Sequence, residues 1–144
     1  MTDLAHRTWH IVIRIAAVVG VLFGLMTLRE GGAVLFVDGP ARLAAGQYVP
    51  FVLWFNFIAG FFYVAAGLGL WRQNKWAARL AFAITAATLF VFAAFGWHVL
   101  SGGEYEMRTV VAMTLRSTIW LIISAIAWRA LYRNETTVPM ETKS

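Results

Sequence analysis

Apolar residues in this chain do not alternate with polar ones. They fill long blocks separated by short polar breaks. A helix crosses the ~30 Å hydrocarbon core of a bilayer with about 20 such residues, and four blocks reach that length. The first covers 9–28 and is interrupted only by Arg14; the second covers 51–71, carries no charge and holds Asn56 as its strongly polar residue. The third, 77–97, has Arg79 at its start, and the fourth, 109–128, contains Arg116. In lipid each segment must satisfy its own backbone groups, which selects helices, and no stretch shows the period of two that a membrane barrel needs. The pattern therefore predicts an all-α, membrane-embedded four-helix bundle. It forms one domain over 1–144, with a polar tail at 129–144. The first block exceeds the about 7–15 residues of a signal-peptide core and no A-x-A site follows it, so it is read as a retained span.

Composition sharpens this picture. The 144 residues are 60% hydrophobic and 13% charged, with a mean hydropathy of +0.69, against about 25% charged in a soluble domain. Twelve Lys and Arg with seven Asp and Glu could not coat a soluble globule of this size. A disordered chain and a multidomain enzyme are excluded on the same ground. With no cysteine, disulfides, thiolate metal sites and dithiol chemistry are excluded too.

The net charge of +5 does not point to nucleic acid, because it sits at one end of the spans. Arg7, Arg14, Arg72, Lys75, Arg79, Arg129, Arg133 and Lys143 face only Asp3, Glu135 and Glu141 there. At the opposite end Arg29, Arg42, Arg108 and Arg116 are balanced by Glu30, Asp38, Glu104 and Glu106. The positive-inside rule then puts both termini and the turn 72–78 in the cytoplasm, and the size and style of the chain suggest a bacterial-type inner membrane. Trp9, Trp71, Trp76, Trp128 and Tyr132 mark that interface, and Trp54, Trp97 and Tyr105 the other. The first partner is the lipid bilayer itself.

The connections differ in kind. Residues 29–50 read as a long outer loop, with an apolar patch at 33–37, a turn at Asp38-Gly39-Pro40 and a short helix over 41–45. On the first span Ala16, Gly20 and Gly24 form a ladder of small residues. On the second, Asn56, Gly60, Tyr63 and Gly67 share one face. Such faces let backbones approach closely, either within the chain or in a homo-oligomer. The third span is rich in Ala and Phe, and its interior polar groups, Thr85 and Thr88, can bond back to the preceding turn.

Arg116 carries the most chemical information. It lies about seven residues inside its span, hence ~10 Å deep at 1.5 Å per residue. An ionisable group at such depth marks a functional site by default. Asn56 lies at nearly matching depth, while Glu30, His98, Glu104 and Glu106 gather at the same end. These six residues predict an outward-facing polar pocket for an anion, a quinone head group or a metal ion. The competing reading, which the sequence favours, is a structural Arg–Glu pair that closes the bundle mouth. His98, Glu104 and Glu106 offer one imidazole and two carboxylates to a divalent ion, without an HxxxH or HxxE spacing to enforce it. His6 and His10 share a helix face at the basic end, with no carboxylate at ligand spacing. A haem held by two histidines is disfavoured, since His10 and His98 lie at opposite membrane faces, ~30 Å apart. No Walker loop, GxSxG elbow or zincin helix is present, and no catalytic residue is assigned.

The run Phe57–Leu70, FIAGFFYVAAGLGL, followed by a short basic turn and Trp76-Ala77-Ala78-Arg79-Leu80-Ala81, resembles the second and third spans of DoxX-like small membrane proteins. The likeness covers about 30 residues of this chain. It implies four spans and either a role beside respiratory or sulfur-oxidising quinone chemistry or no known role. Those proteins usually carry an acid near the start of the second span, where this chain has Asn56. Three function classes follow from the sequence: a non-enzymatic accessory or helix-packing subunit of a larger membrane complex, which it favours; a ligand-binding or redox-linked protein using the outer pocket; and an oligomeric transporter or channel component.

Overall fold

A computed structural model describes residues 2–132. The charges assigned above to Arg133, Glu135, Glu141 and Lys143, and the tail beyond Tyr132, lie outside the described residues. The chain runs through α1 (Thr2–Phe36), α2 (Pro40–Ala45), α3 (Pro50–Trp71), α4 (Lys75–Leu100) and α5 (Met107–Tyr132), with no strand among the described residues. All but α2 are long and apolar enough to cross a membrane. Only 28–39% of each apolar stretch is buried inside the chain. Ile15, Leu22, Phe61, Phe82, Phe90 and Ile122 all point outward. A surface this apolar would aggregate in water, and in lipid it is the solvent interface. The protein is a multi-pass integral membrane protein.

Two seams hold the bundle together. Along the first, α1 lies on α3 with almost no side chain between the backbones. A methyl group on Gly24 would sit 2.9 Å from the Gly60 carbonyl oxygen, and one on Gly67 would sit 2.8 Å from that of Ala17. The ladder of small residues on α1 is thus filled by α3 of the same chain. Along the second seam, the Thr85 hydroxyl lies 2.9 Å from the carbonyl oxygens of Ala81 and Trp120 and 2.7 Å from the Ser124 hydroxyl. It serves its own helix and ties α4 to α5, where back-bonding alone was expected. Between the seams Tyr63 and Trp120 are fully buried, with ring centres 4.7 Å apart.

The α3–α4 turn closes with Gln73 in the left-handed region (φ 57°), its amide 2.7 Å from the His10 ring. Arg14 swings its guanidinium over Trp71 (5.4 Å), which carries the charge towards the helix ends.

About two-thirds of the expected long loop over 29–50 is helix. α1 continues through Gly31 and Gly32 to Phe36. Gly31 lies against Phe57, and Phe36 meets Trp54 and Phe57 edge-on. The glycine pair reads locally as a break, yet it allows α1 to stay close to α3, and the aromatic contacts extend the helix. The apolar patch 33–37 is mostly its final turn. The short helix starting at Pro40 forms α2.

Candidate functional site

The two seams leave a gap. Glycines draw α1 onto α3 and Thr85 draws α5 onto α4, so α1 and α5 diverge where the C-terminal end of α1 faces the start of α5. Small residues there (Gly31, Ala45, Ala112) do not fill the space, and a cavity of ≈ 180 Å³ results.

Its deep end is polar. Arg116 lies ~14 Å along α5 from Met107 at 1.5 Å per residue and is 7% exposed. Its guanidinium carbon stands 5.6 Å from the centre of the Phe23 ring, Nη1 has only the Met113 sulfur at 3.6 Å, and Nε has no partner. Among the described residues it makes no salt bridge. Asn56 and Thr27 line the same end, and the Asn56 Oδ1 is buried without a hydrogen bond. Val34, Val49, Val52 and Leu53 supply apolar walls, while Glu30, Tyr48, Glu106 and Arg108 surround the opening.

The segment after α1 folds over this opening. Arg42 of α2 donates to the carbonyls of Val34 (2.9 Å) and Leu35 (2.7 Å) and pairs with Asp38. It thereby satisfies acceptors that the end of α1 leaves free and offsets the helix dipole there. From the other side Glu106 accepts the Gln47 N–H (3.0 Å) and Arg108 donates to the Ala44 carbonyl (2.8 Å). Gly46 sits at φ 59° against the Glu106 carboxylate, a backbone conformation that side chains rarely adopt and a position with no room for one.

The six residues grouped from the sequence divide. Arg116, Asn56, Glu30 and Glu106 line the cavity; His98 and Glu104 do not. The reason is the bundle order: α4 packs on α3 and α5, across from α1, so the last turn of α4 ends away from the gap. The His98 Nε2 lies 3.1 Å from the Glu104 backbone oxygen, holding the turn into α5, and its ring meets Phe51 edge-on. With Glu106 engaged by Gln47, the imidazole and the two carboxylates do not converge. Among the described residues no group of three His, Asp or Glu side chains is placed to hold a metal ion. His6 and His10 line a small crevice at the terminal end, beside Gln73.

Sequence reasoning missed Thr27, Tyr48 and Arg108. Thr27 precedes Glu30 by three residues and Val34 by seven, which is one helical stripe. The signal was present but cut off by ending the first helix at 28. Comparison with protein-family models, with curated proteins and with solved structures finds no match.

Proposed function

We propose that the protein binds a small anion, or the anionic head of a larger molecule, in the cavity at Arg116. The supporting observation is a buried guanidinium that faces this cavity without an ion pair. An arginine at such depth is kept at an energetic cost. A structural pin would recover part of that cost from a carboxylate, and none of the described residues supplies one within ion-pair reach. An anion from outside would. Kinship with DoxX-like proteins belongs to the same proposal, supported by the Gly-rich α3, the basic turn and the Ala-rich α4.

Butyrate should stabilise the purified protein in detergent. Binding to the folded state alone adds RT ln(1 + [L]/Kd), about 1.4 kcal/mol at ten times Kd. Butyramide, uncharged and of the same shape, is the control in the same background salt, and equal melting curves with the two would remove the reading.

The proposal also fixes sidedness: both termini lie in the cytoplasm and the cavity opens on the far side of an inner membrane, supported by the excess of Lys and Arg at the terminal end. A reporter inserted at Asn74 should report cytoplasm and one at Gly102 the far side. The reverse pattern would invert the topology.

A further inference from the structure

We infer that the cavity is the head compartment of a longer cleft, and that its ligand is a single-chain amphiphile with a carboxylate head. This rests on the anion-binding reading and adds the chain. Along α1 the cavity takes Thr27, Glu30 and Val34, and a second, apolar groove of ≈ 250 Å³ takes Val12, Ile15 and Val19. The two sets lie on one helix face, joined across the eight-residue step from Val19 to Thr27 by Phe23, so they form one stripe. On α5 the same holds: Ala112 and Arg116 in the cavity continue into Ile119, Ile123 and Ile126 in the groove. Both hollows therefore lie along the α1–α5 seam: the helices stand apart at the cavity, and at the groove they touch through Ala16, Gly20, Trp120 and Ile123 and leave the hollow on their lipid side.

Phe23 stands at the junction, four residues from both Val19 and Thr27, under the Arg116 guanidinium. Polarity changes there. Every groove residue is Val, Ile or Ala, whereas the cavity holds Arg116, Asn56 and Glu30. From Arg116 to Ile126 the groove runs ~15 Å at 1.5 Å per residue.

The complement is a molecule with one apolar chain and a compact charged end. A two-chain lipid does not match a single seam. Two carboxylates, Glu30 and Glu106, at the cavity disfavour a dianionic head and leave a monoanion. The unpaired cation at the head of the groove distinguishes this occupant from an ordinary bilayer chain lying against the helices.

The full chain in phosphatidylcholine nanodiscs, photolabelled with dodecanoate bearing a diazirine at its far end, tests the inference. Label should concentrate on residues 12–19 and 119–126, and unlabelled dodecanoate should displace it at least tenfold better than dodecanol. Arg116→Gln should reduce labelling about tenfold. Should that variant fail to fold, Val19→Trp, which fills the groove, should reduce it about fivefold. Label spread evenly over the lipid-facing helices, equal competition by dodecanol, or labelling untouched by either variant would overturn the inference. Butyrate stabilisation of the wild type separates the two levels. If it persists beside any of those failures, only the chain is wrong; if it is absent, the head site falls and the amphiphile with it.

Discussion

Gly67→Ala should destabilise the bundle by about 1–3 kcal/mol, the usual range for overpacking a tight interior. The added methyl would lie 2.6 Å from Val21 Cγ2, 2.8 Å from the Ala17 carbonyl oxygen and 2.9 Å from the Val21 nitrogen. Two of those three are backbone atoms, which cannot rotate away, so α1 and α3 must separate. A gain of up to about 1 kcal/mol from replacing glycine in a helix works in the opposite direction and is smaller. Two controls isolate the cause. At Gly20 the nearest atom to a new methyl is 3.6 Å away, and at Gly96 nothing lies within 4 Å. Gly20→Ala should be close to neutral, and Gly96→Ala should stabilise by a few tenths of a kcal/mol to about 1. Unfolding titrations of the three variants in mixed micelles measure the differences directly. Equal stability for Gly67→Ala and wild type would mean that the two helices do not cross this closely.

Arg116→Leu should raise the stability of the ligand-free protein and abolish its stabilisation by butyrate. Replacing buried ionic groups with apolar ones commonly gains about 1–4 kcal/mol. Losing the contact with Phe23 returns about 0.5–2 kcal/mol of that. A net gain of about 1–2 kcal/mol is therefore expected. The two readouts move in opposite directions, the signature of a residue kept for binding at the expense of stability. A loss of about 3–5 kcal/mol would instead mean that removing Arg116 strands a buried partner, and the cavity would be a structural ion pair. Combining the substitution with Glu30→Gln, on the acid that shares the cavity, locates such a partner. A small coupling is expected, because Glu30 acts on Arg116 through space while no salt bridge joins the two.

The sequence alone determined the solvent of this protein. Four apolar blocks with too few charges to coat a globule leave lipid as the only surrounding in which every face of each helix is satisfied. It also singled out Arg116 and Asn56, because a polar group among apolar neighbours is conspicuous in one dimension. Helix spacing placed Gly60, Tyr63 and Gly67 on one inward face, and all three are buried.

What it could not determine was where one helix lies against another. The end of α1 depends on Phe57 and Trp54 of α3, which hold a stretch that local glycine propensity would release. His98 and Glu104 share a membrane end with the cavity residues, yet the order of helices around the bundle keeps them out of it. The cavity itself lies where two seams, glycine contacts on one side and a threonine bridge on the other, leave the C-terminal end of α1 apart from the start of α5. Depth in the membrane is a one-dimensional property, fixed by the rise per residue and readable from the chain. Position around the bundle axis is set by packing between segments far apart in sequence, and only the tertiary structure carries it.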